Sequence, residues 1–284
     1  DNNIVSNFRI YGNDAVFSAP RHGTIIDGHT GGDFSLHGSA DGFVHNGGTI
    51  FFTMDDGVRS FGGLSGSVEP RFWNMILRNA GSYNYLAVEH GAHVENLLLV
   101  GYTTKLRLDG STATFTLGND TQSGVMWDAK DSTNCGFEPA GSGRTWTIEA
   151  YNSAYPARLR GDSASSTSAG FVSENWSKCW DYQDDSTWIF ENVDLDFFKV
   201  NLNNLADGGN CSSHCTTIKI KGTNNIFHNM QFDTNSTLYM YDDASFKVNG
   251  NFINSGGTFT QETSGPSGSN TIIFGGRGGT IVGW

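Results

Sequence analysis

Apolar residues along this chain come in bursts of three to six, partly alternating with polar ones, and Gly, Asn or Asp ends each burst before it reaches helical length. The segment STLYMYDDASFKVNGNFINSGGTFTQ, residues 236–261, shows the habit: the runs 238–241, 246–248, 252–253 and Phe259 are parted by Asp-Asp, Asn-Gly and Gly-Gly. Similar units, GTIIDG, GDFSLHG, GGTIFFTMDDG, RFWNMILRN, HVENLLLVG, TKLRLDG and ATFTLGN, fill residues 23–119. FKVNLNN, TIKIKG, NIFHNMQFD, TLYMYDD, SFKVNG, TIIFGG and GTIVGW follow the middle third. Their β-branched and aromatic content predicts short strands. A sandwich favours longer strands and tight two-residue hairpins. Here strand starts recur about every 8 to 10 residues, so three complete a coil of roughly 20 to 30, a length at which repeat architectures are found. The expectation is an all-β parallel solenoid, best formed from Thr216 onward. Gly, Asn and Asp would turn its corners, because they accept left-handed backbone. Phe246, Val248, Phe252 and Ile253 would stack on their counterparts one coil away.

Composition narrows the reading. With 284 residues, 37 Gly, only 5 Pro, 20 Phe and 7 Trp, the chain reads as a folded, turn-rich β protein. A formal net charge of -12 speaks against nucleic acid as a partner and makes an anionic polysaccharide the less natural one, local basic patches aside. No run of about 20 apolar residues occurs, so no membrane-embedded segment is expected. The sequence opens at Asp1 without Met or a signal-peptide pattern, which is read as a processed or trimmed chain. Cys135, Cys179, Cys211 and Cys215 are expected to be disulfide-bonded, and so exported through an oxidising compartment. Three connectivities exist; the favoured one joins Cys211 to Cys215 across CSSHC and Cys135 to Cys179 across a longer loop.

ASFKVNGNFINSGGTFT resembles the repeats of bacterial surface adhesins built on right-handed parallel β-helices: autotransporter passengers, secreted filamentous adhesins and fimbrial-tip adhesins. The resemblance is one of style and is strongest over roughly the last 70 residues. Neither Asn-Pro-Asn-Leu nor Asn-Pro-Asn-Gly is present, and no autotransporter barrel is recognised, so the subfamily stays open. The resemblance implies a single-stranded right-handed parallel β-helix, one domain over 1–284, secreted or at the cell surface. Further domains or pilus subunits after Trp284 would fit it.

From 128 to 210 the alternation weakens, and irregular, loop-rich insertions are expected there. ENWSKCWDYQDDSTWIFENVDLDFF places Trp176, Trp180 and Tyr182 beside Asp184 and Asp185. Aromatic faces stack on sugar rings and carboxylates accept hydrogen bonds from sugar hydroxyls, so these five are the candidate ligand-binding residues, carried on a loop as function often is. The competing reading buries Trp180 and Trp188 beside Cys179. Alternation from Trp188 puts Phe190 on the same inward face, with Trp176 or Tyr182 facing solvent.

Catalysis finds less support. YQDDS superficially resembles the paired aspartates of polygalacturonases, but their Asn-Thr-Asp and Gly-His-Gly motifs are missing, and TIKIKG only loosely echoes Arg-Ile-Lys. Adjacent Asp184 and Asp185 would point to opposite faces of a strand, whereas glycoside hydrolysis needs two carboxyl groups facing one bond. His22, His29, His37 and His45 recur at seven or eight residues and are read as corner residues; His90 and His93 would point apart unless Gly91 turns the chain. Asp55–Gly57, or Asp242 with Asp243, are acidic turns that suit calcium only as a secondary reading, so no metal and no cofactor are assigned. There is no Gly-x-Ser-x-Gly elbow and no phosphate cradle. The functional expectation is an exported adhesin or receptor-binding domain for a host or environmental glycan. A polysaccharide hydrolase or lyase comes second. A structural or ice-binding solenoid ranks third, since regular Thr-x-Thr ladders on one flat face are not visible in the sequence.

Overall fold

The computed structural model describes residues 2–5, 8–21, 23–27, 34–54, 63–79, 84–100, 104–128, 137–139, 143–161, 187–201, 217–233, 237–262, 269–275 and 281–282. Among these the chain is all-β: it holds short strands and one 3-10 turn, Ala40–Gly42, and no α-helix. Every strand pairing among them is parallel, as the spacing predicts.

The chain passes three ladders in a fixed order, the form of a β-solenoid. The first face takes Thr24–Asp27, Thr49–Met54, 74–79, 97–100, Val125–Asp128, Ala157–Gly161, 193–195, 225–227, Ser245–Val248 and Thr271–Phe274. The second takes Phe8–Tyr11, Phe34–His37, Gly63–Gly66, Asn84–Val88, Thr104–Leu108 and Phe137–Pro139, and later 229–233 and Phe252–Ser255 in the same place in the order. The third carries 91–94, Thr112–Leu117, Thr145–Ala150, Thr187–Glu191, Thr217–Lys221, Thr237–Met240 and Thr258–Gln261. The first and third faces and the C-terminal strands of the second count as one 19-stranded sheet because long strands such as Gly91–Val100 and Asn225–Asp233 run around the corners between faces. A register break between Val94 and Leu97 makes the bend, the usual effect of a bulge.

Within the stretch where irregular insertions are expected, the described residues include regular strands, while 129–136, 140–142, 162–186 and 202–210 lie outside the described residues. Thr145–Ala150, Ala157–Gly161 and Thr187–Glu191 all sit in register within the ladders. Alternation is present in TWTIEA and TWIFE, whose even positions are buried. What hides it is the unequal length of chain between successive rungs.

The two corners that flank the third face use different backbone chemistry. Gly12, Gly38, Gly66, Gly91 and Gly256 take positive φ where the second face ends. Where the third face ends, the left-handed positions are Asn46, Gly118, Asn192, Gly222 and Asp243. Gly91, at φ 116°, is fixed twice over, since a Cβ there would run into the carbonyl of Thr114. It turns the chain between His90 and His93, leaving His90 exposed and sending His93 outward between buried Ala92 and Val94. At the other corner Asn225, 2% exposed, staples neighbouring coils. Its Oδ1 accepts from Val193 N at 3.1 Å and its Nδ2 donates to Lys221 O at 2.9 Å and Ser245 O at 3.0 Å. Asn192 Oδ1 accepts from the amides of Thr223 and Asn224.

Inward side chains form continuous columns. Trp146 and Trp188 stack at 5.7 Å between centroids, and Phe115 continues the stack at 6.0 Å from Trp146. Trp188 and Phe190 are both buried on one face, as alternation predicts. Near the N-terminus Phe34, Phe43, Phe52 and Phe72 meet edge to face. Phe246, Val248 and Phe252 are buried in the same core as expected, whereas Ile253 is half-exposed and lies outside it.

Candidate functional site: the threonine face

Because the third face alternates buried and outward residues, its outward side chains form columns that run along the stack of coils. One column is continuous threonine: Thr112, Thr145, Thr187, Thr217, Thr237 and Thr258 are successive partners in register. Adjacent rungs of a sheet lie about 4.8 Å apart, so these hydroxyls span roughly 24 Å. Thr114, Thr147 and Thr260 stand two residues further along their strands, and Thr116 two beyond Thr114. The sequence reading, that regular Thr-x-Thr ladders are absent, did not anticipate this single continuous threonine column. The rungs are separated by unequal lengths of chain, so a column regular in space has no period in sequence. The array is not uniform, however: the column beside the six threonines holds Ile189, Lys219 and Tyr239 between Thr147 and Thr260.

A third outward column carries charge: Arg71, His93, Thr116, Glu149, Glu191 and Lys221 are successive partners. Glu149 and Glu191 lie directly opposite each other, an arrangement that costs stability unless each finds a partner. Lys221 Nζ meets Glu191 Oε2 at 2.7 Å, which raises the Lys221 pKa. Glu149 Oε1 accepts only the Thr116 hydroxyl, at 2.9 Å, among the described residues. Glu69, just before the Arg71 rung, is pushed above the usual carboxylate range by burial and then by the charge of Glu149.

The bulge at Glu95 builds the anchored end of this column. Glu95 is 8% exposed, and burial alone would push its carboxyl up. Hydrogen bonds from His45, Asn119 and Arg71 outweigh burial and hold it below the usual range. Arg71 Nε donates to Oε1 at 2.6 Å, His45 Nε2 meets the same oxygen at 3.0 Å, and Asn119 Nδ2 donates to Oε2 at 3.2 Å. The amide of Gly47 donates to His45 Nδ1 at 3.0 Å, so His45 carries its proton on Nε2 and donates to the carboxylate. His93 Nε2 donates to Gly118 O at 2.7 Å, and its ring lies on Tyr151 at 4.8 Å and 17°. Burial is the main reason the His93 pKa is lowered, which keeps the imidazole neutral at pH 7.

Trp176, Trp180, Tyr182, Asp184 and Asp185 lie outside the described residues, as do Cys135, Cys179, Cys211, Cys215, His22, His29 and Asp55–Gly57. His37 and His45 do stand at corners of the coil, next to Gly38 and Asn46. Asp243 takes the left-handed turn position, and its Oδ1 accepts the amide of Ser269 at 3.1 Å. Arg71, Glu149 and Tyr151 carried no motif in the sequence, and His93 stood out there only as the partner of His90. The signal that could have found them is the outward phase of HVENLLLV and TWTIEA once the rung register is known. Among the described residues no helix is long and apolar enough to cross a membrane. Compared with known proteins, the chain matches no family model, no curated protein sequence and no solved structure.

Proposed function

We propose that the chain is an exported ligand-binding solenoid, an adhesin or receptor-binding domain in which the third face lies along an extended neutral glycan. The observation that carries this reading is the continuous threonine column on a face whose third outward column carries charge. Hydroxyls repeating at a β-sheet rung can meet the hydroxyls of a sugar polymer many times over, and the acidic side chains near them disfavour a polyanion. The coil is right-handed in this proposal, following the hand that strongly prevails for crossover connections between parallel strands. A screen of the purified chain on a glycan array tests the reading. Specific retention of a neutral polysaccharide that is weakened at least tenfold in Thr187→Lys/Thr217→Lys supports it. Retention unchanged in that variant moves recognition off this face.

One observation favours a second reading, polysaccharide hydrolysis. A carboxyl at Glu69 whose pKa is raised by burial and by the nearby charge of Glu149 is one half of the carboxyl pair that acid-base cleavage of a glycosidic bond needs. Release of reducing ends from the retained polysaccharide, abolished in Glu69→Gln, would decide for it.

A further inference from the structure

The end of the charged column holds a group of side chains that the threonine face does not account for. Arg71 Nε is tied to Glu95, while its Nη1 and Nη2 make no hydrogen bond among the described residues and the side chain is 43% exposed. Glu95 is in turn held by His45 and Asn119, so the guanidinium is aimed through two layers of contacts rather than left to wave. On the next rung of the same column, His93 gives its only ring proton to Gly118 O, which leaves Nδ1 with a lone pair and no partner among the described residues. Tyr151 leans over this pair: its ring is stacked on His93, the Arg71 guanidinium carbon is 5.7 Å from its centroid, and it remains 42% exposed. Gly118, whose carbonyl holds His93, has a φ of 95° and tight surroundings that exclude a side chain.

A fixed fork of donors, one neutral acceptor and an aromatic wall within one rung spacing is a complementary set. A carboxylate could use the fork, but it would face the His93 lone pair with the Glu95 carboxylate close by and Glu149 two rungs along the column. A hydroxyl pair on adjacent carbons uses everything: one oxygen accepts from Arg71 and the other donates to His93 Nδ1, while the sugar carbons rest against the open edge of the Tyr151 ring, whose face is stacked on His93. We propose that Arg71, His93 and Tyr151 form a subsite for one neutral sugar ring, gripping its vicinal diol at the end of the threonine face. This rests on the glycan reading above and adds the ring-binding position and the discrimination against acidic sugars.

The test is calorimetric titration of the intact chain with four hexasaccharides: cellohexaose, mannohexaose, maltohexaose and hexagalacturonate. At least one neutral hexasaccharide is expected to bind, and hexagalacturonate at least tenfold more weakly. Arg71→Lys keeps a cation against Glu95 but lacks the fork, and is expected to weaken the neutral ligand at least tenfold. Tyr151→Ala, at an exposed position that leaves the core untouched, should do the same, and Tyr151→Phe should be within threefold of wild type. Thr187→Lys/Thr217→Lys is measured alongside. If the threonine variant loses binding while Arg71→Lys and Tyr151→Ala keep it, the subsite is overturned and the face reading stands. Preferential binding of hexagalacturonate overturns the neutral-diol assignment and, with it, the neutral character of the glycan assigned to the face. If no hexasaccharide binds, both readings fall.

Discussion

Single residues on this molecule divide by which way they point, and the consequences of replacing them divide the same way. Trp188 is 2% exposed and stacked on Trp146, so Trp188→Ala should cost about 3 to 5 kcal/mol in denaturant unfolding. Thr217→Ala, outward on the next rung, should change stability by about 0.5 kcal/mol or less. Acid should act in two stages. His93 has a folded pKa below 6.5, so the unfolded chain binds its proton first, and stability falls as pH drops below 6.5 until the folded value is passed. The groups facing it are Arg71 and His45, which oppose its protonation, and Glu95 and the Gly118 carbonyl, which favour it. Glu95 has a lowered folded pKa, so its stabilisation is complete above 4.5 and is lost as pH falls through the lower value. Glu69 works the other way, losing stability as pH rises from 4.5 through its raised value. Urea midpoints measured at stepped pH should show the His93 stage vanish in His93→Gln and the Glu95 stage persist there.

At the scale of the element, a rung and its corner make different demands on sequence. Gly91→Ala must place a Cβ against the Thr114 carbonyl at positive φ and should cost about 2 kcal/mol or more, whereas Gly12→Ala, at φ 99° with open space around it, should cost about 1 kcal/mol. Asn225→Ala strands the amide of Val193 and two or more carbonyls, and a loss of about 2 to 4 kcal/mol is expected from thermal unfolding. This is also the scale at which the sequence was most legible. Short bursts of β-branched residues ended by Gly, Asn or Asp announced both strands and corners, because left-handed turns restrict which residues can stand there. Burial of Phe246, Val248, Trp188 and Phe190 followed from alternation alone. Which strand lies beside which was not legible, since parallel partners are joined through two other faces and the intervening chain can vary without disturbing either rung.

The whole molecule is defined by that pairing, and so is its candidate site. Arg71, His93 with Glu95, and Tyr151 come from three separate stretches of chain, and only register brings the three together. The threonine column was missed for the same reason. The neighbouring outward column is interrupted by Ile189, Lys219 and Tyr239, which leads to a further expectation: the purified chain should show no thermal hysteresis in ice-growth measurements, and a clear freezing gap would favour the ice-binding alternative. Stacked coils also make length a digital quantity. From Thr217 to Thr237 to Thr258 each new threonine takes about 20 residues, and each adds one rung of about 4.8 Å to the column. Duplicating one such unit would lengthen the face by a single step without redesigning anything else. Reach along a polymer could thus be gained or lost in counted increments, as on the teeth of a ratchet.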